Sequence, residues 1–127
     1  MRQEISLVLP GSIRAKKNSK RIFAYGRFKR VLPSTAYKTW ETRARKEVWA
    51  QISGLRGIPV ATPVNVEAHI YYKGNRPDLS GAMESIGDCL QGLVWIDDAQ
   101  IESWDGSRLH HDLKNPRTKV IVRWEND

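Results

Sequence analysis

Val64 to Trp104 reads VNVEAHIYYKGNRPDLSGAMESIGDCLQGLVWIDDAQIESW, and this stretch decides the fold. Its first part alternates, with Val64, Val66, Ala68, Ile70 and Tyr72 on one face, the period-two signature of a half-buried strand. Lys73 to Pro77 breaks the alternation. From Gly81 to about Gln91 the spacing of Met83, Ile86, Gly87 and Leu90 predicts a helix, and Gly92 is a suitable stop. Leu93 to Ile96 is a short apolar bridge into Asp97-Asp98, and Gln100 to Trp104 is read as the next strand.

Outward from this unit, Glu4 to Leu9 reads as a first strand ended by Pro10-Gly11. Ile22 to Val31 reads as a hairpin turning near Tyr25-Gly26. Pro33-Ser34 opens a helix with Ser34 as N-cap, and Tyr37, Trp40, Ala44, Val48 and Ile52 form its apolar stripe as far as Ser53-Gly54. Gly57 to Pro63 is a loop open to approach by a second subunit. Lys119 to Trp124 is the last strand, after a polar loop from Asp105 to Arg117. The order βββαβαββ predicts an α+β fold, with two main helices and one mixed sheet. At 127 residues the chain is expected to be a single domain, 1–127.

Charge is unevenly distributed. The net charge is +7, and Arg14, Lys16, Lys17, Lys20, Arg21, Arg27, Lys29, Arg30, Lys38, Arg43, Arg45 and Lys46 stand against the single acid Glu41. Such a basic block suits a phosphate backbone. Asp78, Glu84, Asp88, Asp97, Asp98, Glu102 and Asp105 then crowd into a segment without Lys or Arg. Carboxylates beside a polyanion-binding surface make sense when a divalent metal neutralises them and activates water against a phosphodiester. Glu84 and Asp88, four apart, share a helix face, and Asp78 and Asp98 flank that helix, so Asp78, a helix acid and Asp98 are expected to converge. Glu102 and Asp105 read as solvated surface acids.

No apolar run approaches the roughly 18 residues of a membrane span, and no membrane or small-molecule partner is expected. Cys89 is the one cysteine, which rules out an internal disulfide and points to a reducing, cytoplasmic compartment. Cys89 reads as a small buried residue. His110-His111 reads as an exposed pair in the polar loop rather than a metal or proton-transfer site.

The segment from Arg76 to Ile101 resembles the signature of the RusA-type Holliday junction resolvases, in which a D-L-D-N-L-x-K run opens a helix and D-D-x-Q-[IV] closes the motif. Asp78 and Leu79 match the opening, Asp88 the helix Asp, and Trp95 to Ile101 the closing run. Near the start, LPGSIRAKKNS is similar to the family's first strand and polar loop, and Tyr37-Lys38-Thr39-Trp40 to its first helix. The chain departs from the pattern at Ser80 (Asp in the family), Gly81 (Asn) and Glu84 (Lys).

The resemblance implies a RusA-like nuclease domain, bacterial or phage-encoded, acting in DNA recombination and repair as a homodimer on branched DNA. It implies Mg²⁺ or Mn²⁺ as cofactor and Asp78 and Asp98 as metal-binding and catalytic residues. Asp88, Glu84 or both would supply the carboxylate missing at Ser80, with Asp97 adjacent. DNA contacts are expected from Arg14, Lys16, Lys17, Asn18, Lys20, Arg21, Arg27, Lys29 and Arg30, with Phe23, Tyr25 or Phe28 open to base stacking. Lys73 or Arg76 would replace the family's lysine. Two other readings stay open: a non-catalytic protein that binds branched DNA through a degenerate metal site, and a basic RNA-associated protein sharing the fold.

Overall fold

The structure is a computed structural model, and it describes residues 1–15, 20–25, 28–33 and 35–126, with side chains in 1–15 and 35–126. In chain order it contains β1 (Arg2–Pro10), β2 (Lys20–Tyr25), β3 (Phe28–Pro33), α1 (Thr35–Ile52), β4 (Val64–Tyr72) and α2 (Leu79–Leu90). A single 3₁₀ turn (Asp98–Gln100) follows, then β5 (Ile101–Ser103), β6 (Arg108–His111) and β7 (Arg117–Glu125). Five strands form one sheet in the order β1-β7-β4-β5, with β6 also paired to β4. β7 is antiparallel to β1 and β4, whereas β5 and β6 run parallel to β4, so the sheet is mixed. The parallel β4–β5 pair requires a crossover, and α2 supplies it.

Two expectations are corrected. The hairpin β2–β3 is a separate two-stranded sheet, so there are two sheets rather than one. The stretch from Asp105 to Arg117 is not all loop: Arg108–His111 forms β6 and pairs with the end of β4, which places His110 and His111 in a strand. β5 is short and pairs with the start of β4, at Val64. Alternation over so few residues is a weak signal, and here pairing to β4 decides the outcome. Ser34, expected as N-cap, and Gly26, expected in the hairpin turn, lie outside the described residues.

The core lies between the helices and one face of the sheet. Leu7, Leu9, Val64, Val66, Ala68, Ile70, Val120 and Val122 point inward from the strands. The expected stripe of α1, Tyr37, Trp40, Ala44, Val48 and Ile52, is buried, and α1 lies against β1. Ala82, Ile86, Cys89 and Leu90 bury the inner face of α2. Cys89 is a buried free thiol, and burial pushes its pKa up to about 12, so it stays protonated and inert at neutral pH. On the edge strand β1, Val8 N–H donates to Gln51 Oε1 at 2.8 Å and Val8 C=O accepts from Gln51 Nε2 at 2.7 Å. No helix among the described residues is long and apolar enough to cross a membrane.

The outer sheet face carries a polar ladder. His69 Nε2 lies 2.6 Å from Glu67 Oε2, and Glu67 Oε1 accepts from Arg123 at 2.9 Å. His69 Nδ1 and His110 Nε2 are 2.9 Å apart, so a single proton serves the pair. His110 stacks on Tyr71 with ring centroids 4.6 Å apart. Burial, then the charges of His69, Arg108 and Arg117, hold the His110 imidazole below its ordinary pKa. A base with a lowered folded-state pKa takes up its proton more readily when unfolded, so its stabilising neutrality is complete above about pH 6.5 and is lost below it. Urea unfolding of the wild type should therefore show a midpoint that falls from pH 7 to pH 5. His110→Gln should flatten that slope, and parallel slopes for the two proteins would refute this account.

Candidate functional site

α2 begins with an acid that does not cap it. Asp78 occupies the N-cap position with extended backbone, yet its side chain makes no capping bond; instead Asp78 Oδ2 accepts from Ser80 Oγ at 3.0 Å. The exposed carboxylate thus stands at the positive end of the α2 dipole with much of its oxygen surface open.

The Asp97-Asp98 turn is held by glutamines. Gln100 Oε1 accepts from Ile96 N at 3.0 Å and Asp97 N at 2.9 Å, while its Nε2 donates to the carbonyls of Val60 at 2.8 Å and Thr62 at 2.9 Å. Asp97 Oδ1 accepts from Ala99 N at 2.9 Å, completing a capping box with Gln100. Asp98 N–H donates to Gln91 Oε1 at 2.9 Å. Arg45 of α1 donates to the carbonyls of Cys89 at 2.6 Å and Gln91 at 3.1 Å, fixing the end of α2 from which Gln91 reaches. The 57–63 loop is tied through Val60 to this turn.

Asp98 packs across Gly87. A Cβ on Gly87 would lie 3.7 Å from Asp98 Cβ and from Ile101 Cδ1, so the missing side chain leaves space on the helix face. Glu84, Gly87, Asp98 and Trp104 line that space, a cavity of about 210 Å³. Loss of water around the carboxyl, then a hydrogen bond with Asp97 and the charges of Asp88 and Asp97, raise the Asp98 pKa above the carboxylate norm. Asp88 is half-buried, one turn beyond Glu84.

The acids therefore form a row along α2. Asp78 lies beside Gly81 and Asp98 beside Gly87, positions separated by about 9 Å of helical rise. Glu84 and Asp98 share one cavity; Asp78 stands towards the start of the helix. Among the described residues no three His, Cys, Asp or Glu side chains form a group able to hold a metal ion. The donors fit a hard divalent ion at its lower limit, two carboxylates completed by water and phosphate, rather than a closed cage. Crowded by Asp97 and Asp88 and with its pKa raised, Asp98 is the kind of carboxylate that a cation relieves.

Cations approach from the Asp78 end. Ser85 Oγ donates to the Arg14 carbonyl at 2.7 Å, and a Cβ on Gly81 would lie 3.2 Å from Ala15 Cβ, so residues 14–15 rest on α2. Arg14 and Lys73 line one small cavity of about 140 Å³ with Pro77, directly before Asp78. Arg76 is exposed. The side chains of Lys16, Lys17, Asn18, Lys20, Arg21, Phe23, Tyr25, Arg27, Phe28, Lys29 and Arg30 lie outside the described residues. Glu102 and Asp105 face a different cavity, of about 520 Å³, with Arg2 and Arg123.

Sequence reasoning missed Gln91 and Gln100 as positioning residues. The second stood in the matched closing run, where its type alone does not reveal four backbone partners. Gln100→Ala is expected to cost about 2–4 kcal/mol, since four hydrogen bonds at roughly 1 kcal/mol each are removed. Equilibrium denaturation checks this, and a loss under about 0.5 kcal/mol, the range of ordinary surface substitutions, would show that the turn holds itself.

No curated protein matches the chain. Over residues 10–123 it matches the family of endodeoxyribonuclease RusA, a span that includes both acidic flanks of α2, the glutamine-held turn and the segment carrying Arg14. The chain belongs to the RusA endodeoxyribonuclease family.

Proposed function

We infer that this protein is a divalent-metal-dependent endonuclease that nicks four-way junctions or related branched DNA. The observation that carries the reading is the placement of Glu84 and Asp98 on one cavity across Gly87, in a chain of this family. Glu84 stands where the family has lysine, and its carboxylate offsets the acid absent at Ser80. Mg²⁺ or Mn²⁺, when bound, would supply a water of lowered pKa and polarise the scissile phosphate. Asp98 and Glu84 would hold it, with Asp78 at the start of the row and Asp97 and Asp88 adding negative field.

The chain's own contribution is positioning and charge. Gln91 and Gln100 fix the backbone that carries Asp98, so its carboxylate would hold the metal ion without reorganisation. Lys73 and Arg14, beside Asp78, supply the cations that stabilise charge on the transferring phosphate, in place of the family's lysine. Cutting opposed strands of a junction calls for two such sites related by a two-fold axis, hence a homodimer.

One observation favours a second reading. Ser80 and Glu84 both depart from the family's pattern and the described residues hold no three-ligand group, which favours a protein that binds branched DNA without cutting it. A nicking assay on a synthetic four-way junction separates the two. The nuclease reading predicts cleavage with Mg²⁺ that EDTA stops, that Asp98→Asn lowers by about 100-fold or more, and that Glu84→Ala lowers at least about tenfold, one carboxylate ligand fewer weakening the ion's hold. Unchanged cleavage by Glu84→Ala removes that residue from the site. The binding reading predicts no product from the wild type at any metal concentration and cleavage restored by Ser80→Asp with Glu84→Lys.

A further inference from the structure

α1 carries an acid-poor trough that runs from the end of β1 along its exposed side. One cavity of about 410 Å³ is lined by Ser12, Arg14, Thr39, Trp40 and Arg43 among others. A second, of about 550 Å³, shares Thr39 and Arg43 and extends along the helix to Thr42 and Lys46. Among the described residues neither lining contains an Asp or Glu. Lys38, also at the second cavity, is paired with Glu41 at 3.3 Å, so the charges free to face it are those of Arg43 and Lys46.

Two details make this more than a solvated helix face. The Arg43 guanidinium packs over Gly11, where a Cβ would lie 3.5 Å from Nη1, which holds it beside the Arg14 segment. Trp40, only 5% exposed and part of the same lining, has a buried Nε1–H without a hydrogen-bond partner among the described residues. Buried donors are rarely left without acceptors, and an oxygen that enters the cavity and parts its lining would supply one. Guanidinium, ammonium, hydroxyl and indole N–H groups are all donors to phosphate oxygens.

We propose that this trough is a phosphate track that seats the backbone of one double-stranded DNA arm. From Thr35 to Lys46 the helix rises about 17 Å, the axial length of about five base pairs. Arg14 lines both this trough and the small cavity with Lys73 before Asp78, so the track leads to the acidic row. Its use in guiding a junction arm to the cutting site rests on the nuclease reading; the binding itself does not. The contacts are to phosphate and carry no sequence preference.

The test is binding of a fluorescent linear duplex and of a four-way junction in EDTA across a salt series. Each neutralised phosphate adds about 0.9 to the steepness of log affinity against log salt. Arg43→Ala with Lys46→Ala should therefore reduce that steepness by about 1.8 and weaken binding about tenfold or more. Arg56→Ala with Lys114→Ala removes the same charge elsewhere and should leave the slope near wild type; circular dichroism verifies that both variants fold. Trp40→Phe, which keeps an aromatic ring without the N–H, should weaken binding several-fold with an unchanged slope. An unchanged affinity and slope in the Arg43 and Lys46 variant overturns the track even where the junction is nicked. Absence of any wild-type binding to the duplex overturns it too, as does displacement by polyglutamate as readily as by unlabelled duplex. Retained slope effects in a protein that never nicks leave the track standing and sink the nuclease reading instead.

Discussion

The amide of Gln100 is the constraint on which the acidic site depends. A primary amide offers two donors and one acceptor oxygen, and here all face backbone: two N–H groups on one side, two carbonyls on the other. It therefore ties the Asp97-Asp98 turn to the loop at Val60 and Thr62, reinforcing the bridge between Val60 and Trp95. Buried or half-buried backbone groups in irregular chain must find partners. One side chain meets that need for the turn that carries Asp98. Gln91 adds a second restraint, and Arg45 fixes the helix end from which Gln91 reaches.

Charge segregation in the sequence becomes spatial order in the fold. Acids occupy the outer face of α2 and the turn packed across it; cations occupy α1 and the segment after β1. The two zones meet where residues 14–15 rest on α2, held by Ser85. Arg14 is thus the residue at which a basic surface gives way to the carboxylate row. Gly81 and Gly87 make this closeness feasible, one facing Ala15 and Asp78 and the other facing Asp98. Side chains of ordinary size at both positions would push the turn and the N-terminal segment off the helix.

Much of the fold was legible because its signals are long. Nine alternating residues in β4 and an eighteen-residue helix with one apolar stripe leave little ambiguity. Short elements were not legible: β6 has four residues of mixed polarity, and only pairing with Tyr71 and Tyr72 makes it a strand. Its recruitment explains why His110, read as an exposed loop residue, is stacked and half-buried. For the site, residue types and order identified Asp78, Glu84 and Asp98, but spacing along a chain does not give separation in space. The expected convergence of Asp78, a helix acid and Asp98 becomes a row along α2, with Asp78 beside Gly81 and Asp98 beside Gly87. The roles of the glutamines were hidden because an uncharged amide gives no compositional signal.

Gln51 presents β1 with the same donor and acceptor pair that a neighbouring strand would offer. Its position on α1 places that mimic at the outer rim of the sheet, opposite Val8. A rim closed in this way resists lateral growth by main-chain pairing, the route by which open β-proteins stick together as fibrils. Any strand adding to this rim would first have to displace the Gln51 amide from Val8.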